Sequence, residues 1–274
     1  MSSSELSLES TKRFHRVPIG FGPAPTPRQD HEGKRFDWSK AQAKTIDVTY
    51  TSDHAALDAI LLDGYATDKS KDAVVLFEVM ELRNLPWLNG RGYNTWGVYV
   101  ANVVCLRTKK PYTGSYISVL FETFTDPITT GREARTAPIS FGAEFMRLEL
   151  SGLVDKPVEE APAHHPRAWT HPTQSGILHH RYVPTVGQPG QHDASYTTWC
   201  PPPPGKAPVI AYQTVEKADL NSIRLEIFEK SWEELPTLWN VVKGLKSLSR
   251  KEVLEVAVQT FQGASDLITN QKVE

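Results

Sequence analysis

The chain has 274 residues, and its 30 lysines and arginines nearly balance its 32 aspartates and glutamates, giving a formal net charge of −2. A charge this close to zero provides no summed field to attract nucleic acid or an anionic membrane surface, so neither is expected as a partner. With 39% apolar residues, the sequence is typical of a globular protein with a sizeable core and excludes a disordered chain.

The two cysteines, Cys105 and Cys200, are too few for a disulfide framework and lack the spacing of a structural zinc site. The N-terminal segment 1–13 is polar, without the apolar core of a secretion signal. No stretch has the roughly 18 apolar residues that span a bilayer. These features favour a reducing compartment and predict a cytoplasmic protein.

The first 40 residues are charged and rich in proline. They predict a polar N-terminal tail (1–40) ahead of a single domain (41–274). At Thr45 the pattern changes, because TIDVTYTS alternates as a half-buried strand does. Asp53 follows as the predicted N-cap of a short helix that ends at Gly64.

Three segments rich in β-branched and aromatic residues come next, at 73–82, 97–108 and 115–124. They predict consecutive antiparallel strands. DPITTGREA, beginning at Asp126, predicts a short helix because proline is favoured at the first helical position. EFMRLELSG (144–152) returns to the pattern of a strand.

The segment 154–204, called the insertion below, is dense in proline, glycine and histidine and predicts a long loop-rich region around one strand, GILHHRYVP. APVIAYQTV and SIRLEIFEK then indicate strands, SWEELPTLWNVV indicates an amphipathic helix, and KEVLEVAVQTF fits a strand or a helix. The predicted fold class is α+β: an antiparallel, β-rich sheet that curls into a partly closed barrel, with a few short helices.

Motifs with a fixed chemistry are missing from the sequence, which has no GxSxG, no phosphate loop, no HExxH and no GxGxxG after a strand. Six histidines of the insertion suggest a zinc site and, with it, a metal-assisted hydrolase. Strand geometry opposes this idea, because the neighbours His179 and His180 must point to opposite faces. We therefore predict neither a metal nor another cofactor.

A carboxylate in the first of the three central strands is the sharpest chemical lead. Alternation in VVLFEVMEL places Glu78 on one face with Leu76 and Met80, whereas Glu81 lies near the strand end. A carboxylate among apolar side chains has either a partner or a raised pKa. The arginines that could pair with it are Arg83, Arg91 and Arg132.

Several blocks resemble the acetoacetate decarboxylases. DPITT followed by GREARTAPISFGAEF (131–145) resembles the GRE…PKK block of that family, and FEVMEL, LPWLNGRGYN and SIRLEIFEKSWEELP resemble further family segments in order. The resemblance runs from about Thr45 to near the C-terminus. It implies a cone-like or barrel-like β core with a mostly apolar pocket. There a lysine activated by desolvation or an adjacent cation, for which acetoacetate decarboxylase is the standard example, forms an imine with a β-keto acid before decarboxylation.

The chain departs from that pattern at the reacting group, because the family's lysine pair falls on Ile139 and Ser140, neither of which can form an imine. The family's substrate-placing arginine falls near Ala43 or Lys44, and its second pocket glutamate falls near Thr95, whereas its first glutamate is kept as Glu78. Arg132 and Glu133 are kept from the GRE block. They would form an ion pair that fixes the loop carrying position 139, or Arg132 would bind a substrate carboxylate or enolate.

The resemblance thus implies an enzyme without a Schiff-base lysine, a lyase of the decarboxylase or dehydratase type acting on a small keto acid or polyketide-like intermediate of specialised metabolism. Glu78 would be the acid or base, and Arg132 or Arg91 would stabilise negative charge. The residues that would contact the substrate are Arg91, Tyr93, Thr95, Glu133, Ile139 and Ser140. A non-catalytic ligand-binding protein, a hydrolase and an isomerase stay open as alternatives, and the family implies a homo-oligomer.

Overall fold

The computed structural model describes residues 15–16, 24–25, 29–131, 139–141, 145–150, 159–160, 176–201, 213–217, 223–263 and 270–274. Within these ranges the strands are β1 (His15–Arg16), β2 (Ala24–Pro25), β3 (Gln42–Thr51), β4 (Tyr65–Thr67), β5 (Val74–Arg83), β6 (Tyr93–Cys105), β7 (Tyr112–Glu122), β8 (Ile139–Phe141), β9 (Met146–Leu150), β10 (Glu159–Glu160), β11 (Gly176–Pro184), β12 (His192–Cys200), β13 (Gln213–Lys217), β14 (Ile223–Ile227), β15 (Val253–Gln262) and β16 (Gln271–Lys272). The helices are α1 (His54–Asp58), α2 (Thr125–Thr130) and α3 (Trp239–Ser247), and a 3-10 turn spans Pro86–Leu88.

Four strands form the centre of the main sheet, and they pair as antiparallel neighbours in the order β3, β5, β6, β7. Their sequences are rich in β-branched and aromatic residues, which pack well on a pleated surface. The three predicted strands at 73–82, 97–108 and 115–124 are confirmed as β5, β6 and β7, although β6 begins earlier than predicted, at Tyr93.

The strand order of the main sheet is β10–β13–β15–β3–β5–β6–β7–β11–β12–β16, with β4 beside β6 and β8 beside β7, and the pairs β1–β2 and β9–β14 form two separate small sheets. The ends of this order, β10 and β16, do not pair with each other among the described strands, so the sheet is open. The predicted α+β class with a β-rich, curled sheet is confirmed, and the sheet does not close into a complete barrel. Most neighbours are antiparallel, and β7 pairs in parallel with both β8 and β11.

The parallel contact between β7 and β11 depends on a glycine. Gly114 is in register with Gly176, and a Cβ atom at position 114 would lie 2.2 Å from the Gly176 carbonyl oxygen. That distance is far inside van der Waals contact, so any side chain there would push the two backbones apart. Gly114 therefore allows strand β11, within the insertion, to pair beside β7.

The main hydrophobic cluster covers one face of the central strands, and Trp96 lies in its middle. The indole stacks on Phe121 at 5.0 Å and on Phe77 at 6.2 Å between ring centroids, and Phe145 packs against it at 5.6 Å. All four side chains are buried. Aromatic contacts of this kind add to the free energy gained from burying apolar area.

The opposite face of the same strands carries two smaller apolar clusters. One contains Met80, Leu82 and Tyr93, and the other contains Leu76 and Tyr99. Along each strand, every second side chain points to this face. Polar side chains on this face that lie between the two clusters therefore have apolar neighbours on both sides.

The helices are shorter than the sequence pattern indicates. α1 ends at Asp58, and the side chain of its N-cap residue Asp53 makes no capping hydrogen bond but binds Lys251. Asp58 Oδ1 accepts the backbone N–H of Thr67 at 2.8 Å, which joins the end of the helix to β4. Among the described residues, no helix combines the length and apolar character needed to cross a membrane.

The amphipathic helix predicted at SWEELPTLWNVV begins later than expected, at Trp239. Ser231 and Glu234 exchange the two hydrogen bonds of a capping box, with Glu234 Oε2 accepting the Ser231 N–H at 2.9 Å. Pro236 then prevents a regular helix from continuing, because it has no N–H and its ring disfavours helical backbone before it. KEVLEVAVQTF, which fitted a strand or a helix, lies on strand β15.

Candidate functional site

Two rows of side chains cross the sheet between the smaller apolar clusters, and together they are called the acidic face below. In the first row, Asp47 of β3 is directly opposite Glu78 of β5, which is directly opposite Gly97 of β6. The second row consists of Thr45, Met80, Thr95 and Glu122. Asp47 and Glu122 are buried and Glu78 is half-buried. Buried carboxyl groups are costly unless they are hydrogen-bonded or neutral, which makes this face the candidate functional site.

Glu78 lies at the centre of the acidic face. Tyr99 donates a hydrogen bond from Oη to Glu78 Oε1 at 3.0 Å. Burial and, to a smaller extent, the negative charge of Asp47 together raise the pKa of Glu78 to about 8, although the hydrogen bond from Tyr99 acts to lower it. The Glu78 carboxyl group is therefore mostly protonated at neutral pH and can donate a proton.

Tyr99 is buried beside several carboxyl groups. Burial raises the pKa of its phenol well above its ordinary value, and the nearby Glu78, Asp47 and Glu122 carboxylates raise it further. The phenol consequently keeps its proton across the physiological pH range. Tyr99 is thus a permanent hydrogen-bond donor to Glu78.

Asp47 is held by side chains from two strands. Gln259 of β15 donates from Nε2 to Asp47 Oδ2, and Thr45 Oγ1 donates to the same oxygen at 3.4 Å. Hydrogen bonds of this kind favour the charged form of a carboxyl group. Asp47 and Glu78 therefore form a cross-strand pair of carboxyl groups, in which the negative charge of Asp47 helps to keep the proton on Glu78.

Tyr93 and Thr95, two predicted substrate contacts, lie on the same face as Glu78. Tyr93 packs in the smaller apolar cluster with Met80. Thr95 is buried and directly opposite Glu122. Glu122 on β7 thus places a carboxyl group beside Thr95, the position near which the resemblance places the family's second pocket glutamate.

The arginines expected as partners of Glu78 bind elsewhere in the described part of the chain. Arg83 Nε donates to Glu81 Oε1 at 2.9 Å at the exposed end of β5. Arg91 donates to a backbone carbonyl, and its guanidinium lies 5.2 Å from the centre of the Phe124 ring. Of the three arginines that could pair with Glu78, Arg83 and Arg91 therefore make these contacts with residues other than Glu78.

Positions 139 and 140 lie on β8 in parallel register with β7. Ile139 pairs with Leu120, which belongs to the row that contains Glu78, whereas Ser140 pairs with Phe121 of the main hydrophobic cluster. The backbone thus brings Ile139, one of the two positions on which the resemblance places the family's lysine pair, into the row of the acidic face. Two further predicted residues, Arg132 and Glu133, lie outside the described residues.

Four members of this site escaped the sequence analysis: Asp47, Tyr99, Glu122 and Gln259. Their strands were predicted or left open, but the pairing between distant strands could not be read from local patterns. The available signal was the alternation of Thr45, Asp47 and Thr49 with large apolar residues in β3, which we interpreted as one solvated face.

The histidine-rich insertion contributes a hydrogen-bonded chain. His180 Nδ1 lies 3.0 Å from Tyr65 Oη, and His180 Nε2 lies 3.1 Å from Ser195 Oγ. His179, the next residue in the strand, is buried. The described residues include no group of three or more His, Cys, Asp or Glu side chains placed to hold a metal ion.

Comparison with solved structures gives an independent view of the fold. An acetoacetate decarboxylase from Legionella pneumophila superimposes with a TM-score of 0.52 at 14% identity, covering 88% of this chain and 91% of its own. An acetoacetate decarboxylase-like enzyme from Sphingomonas wittichii RW1 superimposes with a TM-score of 0.51 at 13% identity, covering 85% and 92%. This chain has the acetoacetate decarboxylase fold.

The fold that the resemblance implied, from the GRE block and its flanking segments, is therefore confirmed. The enduracididine biosynthesis enzyme MppR complexed with pyruvate is also similar, with a TM-score of 0.48 at 10% identity over 85% of this chain and 89% of that one. Neither a protein-family model nor a curated protein matches the sequence.

Proposed function

We propose that this protein is an acid/base enzyme on the acetoacetate decarboxylase fold that works without an imine, and that its reaction is a lyase reaction on a small keto acid or polyketide-like molecule. The observation that carries the proposal is the Asp47–Glu78 pair, in which a half-buried, mostly protonated carboxyl faces a hydrogen-bonded carboxylate on the next strand. Perturbed carboxyl pairs of this kind are characteristic of acid/base sites.

Glu78 would act as the proton donor. In a decarboxylation, the carbon–carboxylate bond breaks, carbon dioxide leaves, and the bonding electrons move onto the α-carbon and the keto oxygen. Glu78 would protonate that oxygen to give an enol and would become a carboxylate. Protonation of the α-carbon from solvent and return of the enol proton to Glu78 would complete the cycle.

The substrate's own negative charge sets a limit on how it would bind. Like charges repel, so its carboxylate would lie away from Asp47 and Glu122 and beside a cation. Arg132 is our candidate for that cation, because it follows directly after the buried Gly131 at the end of α2 and a guanidinium suits carboxylate binding. Tyr93, Thr95 and Ile139 would contribute to the shape of the site.

A panel of β-keto acids, assayed for product and trapped with borohydride before intact-mass measurement, tests this proposal. We expect product without a covalent adduct. Glu78→Gln should lower kcat by about 10²- to 10⁴-fold, since that is the usual contribution of a general acid or base. The matched control is Glu81→Gln, which removes an exposed carboxylate on the same strand and should leave kcat within about twofold.

Three results would contradict the proposal. A borohydride adduct on a lysine would mean that imine chemistry persists with a relocated lysine. Full activity of Glu78→Gln would remove Glu78 from the chemistry. Absence of product from every substrate, together with a ligand-induced rise in Tm, would instead favour a non-catalytic binding protein.

A further inference from the structure

The position of the Tyr99 phenol raises a geometric problem. Glu78 is directly opposite Gly97, whereas Tyr99 is directly opposite Leu76, so the Tyr99 backbone lies two residues further along β6 than the position opposite Glu78. Diagonal neighbours of this kind are about 7–8 Å apart at their Cα atoms. The ring must lean along β6, across position 97, for its Oη to lie 3.0 Å from Glu78 Oε1.

Gly97 is the residue that leaves room for this lean. A Cβ atom at position 97 would lie 2.5 Å from Tyr99 Cε2 and 2.9 Å from both Cζ and Oη. Carbon atoms in contact are normally about 3.5–4.0 Å apart, so the ring occupies the space that a side chain at 97 would fill. Gly97 does not have a positive φ. Glycine is therefore necessary here because a side chain would clash with the Tyr99 ring, and not because of the backbone conformation.

We propose that Gly97 is a positioning residue of the acidic face, which keeps the Tyr99 ring folded across β6 so that its hydroxyl is committed to Glu78. The inference rests on the proposed function in one respect: it assigns Gly97 a role in setting the proton affinity of Glu78, the proposed acid. The contact itself follows from the packing of three residues on two paired strands.

Gly97→Ala should separate Tyr99 from Glu78. Loss of a hydrogen bond to a charged carboxylate makes ionisation less favourable, so the Glu78 carboxyl should titrate about one to two pH units higher than in the unaltered protein. Carbon-13 NMR of glutamate-labelled protein measures this titration directly, and Glu78→Gln identifies its resonance. Any pH profile of kcat/KM should move in the same direction.

Two further variants separate the hydrogen bond from general disturbance. Tyr99→Phe keeps the ring and removes the hydroxyl, so it should reproduce the titration shift, and combining it with Gly97→Ala should add nothing more. Gly244→Ala is the matched control, because a Cβ atom there meets nothing within 4 Å, and it should leave the titration unchanged.

An unchanged Glu78 titration in a folded Gly97→Ala protein would overturn the inference. If Gly97→Ala does not fold, Gly97→Ala/Tyr99→Leu decides, since removing the ring should restore folding if the ring is the obstacle, and failure to fold would overturn the inference. The titration is measured without substrate. A shifted titration with no turnover would therefore contradict the proposed function alone, and turnover with an unshifted titration would contradict the role of Gly97 alone.

Discussion

The ionisation of Glu78 should by itself lower the free energy of unfolding when the pH is raised from about 5 to about 9. A carboxyl group with a higher pKa in the folded than in the unfolded protein contributes stability below its unfolded pKa and loses it as the pH rises through the folded pKa. For Glu78 the window runs from its ordinary value of 4.5 to about 8. Within it the loss should be about 1.4 kcal/mol per pH unit.

The difference between the protein and its Glu78→Gln variant isolates this contribution from all other titrating groups. Urea unfolding at several pH values should show similar stabilities at low pH, and Glu78→Gln should become progressively the more stable protein from about pH 5 upwards because an amide does not ionise, with the difference levelling off above about pH 8. A constant difference for Glu78→Gln would refute the raised pKa.

Asp47→Asn offers a test of the pair within the same experiment. Removing the charge of Asp47 removes one of the two causes that raise the Glu78 pKa, so the upper limit of the window should move to lower pH. The slope within the window should stay the same, since one proton is still released on unfolding.

Trp96→Ala should destabilise the protein by about 3–5 kcal/mol, the usual cost of truncating a buried tryptophan. The indole is stacked on two phenylalanines and packed against Phe145, all within the main hydrophobic cluster, so the cavity cannot be filled by a small shift of one neighbour. Urea unfolding monitored by circular dichroism measures the loss. Trp96→Phe should cost much less, because an aromatic ring remains in the stack.

Trp232→Ala is the control for this substitution. Trp232 is 59% exposed, so its truncation should change the free energy of unfolding by less than about 1 kcal/mol. Equal effects of Trp96→Ala and Trp232→Ala would contradict the assignment of Trp96 to the centre of the core.

The face that Glu78 shares with Leu76 and Met80 could be predicted because alternation is a local property of one strand. The structure places Leu76 and Met80 in the two smaller apolar clusters, with Glu78 between them. The same local rule misled the interpretation of β3. Its alternating polar residues, including Asp47, suggested solvent on one side, and only the tertiary arrangement buries them.

The rest of the site depends on pairings that no local pattern encodes. The hydrogen bond from Gln259 to Asp47 joins residues 212 positions apart. The lean of Tyr99 depends on the absence of a single Cβ atom at Gly97, a detail that alternation does not reveal. The family resemblance located the missing lysine at Ile139 and Ser140, but it gave no indication that an Asp47–Glu78 pair lies in the same row.

The position of β3 in the sheet also bears on how the protein folds as it is synthesised. Its partner on one side, β5, is made soon afterwards, but its partner on the other side is β15, so that Gln42 pairs with Gln262. Pairings at such long sequence separation form slowly, because the entropy of closing a long loop must be lost before the contacts are gained. A nascent chain would expose one edge of β3 until β15 has left the ribosome. Asp47 would acquire its Gln259 partner only then, which makes completion of the acidic face one of the last events of folding.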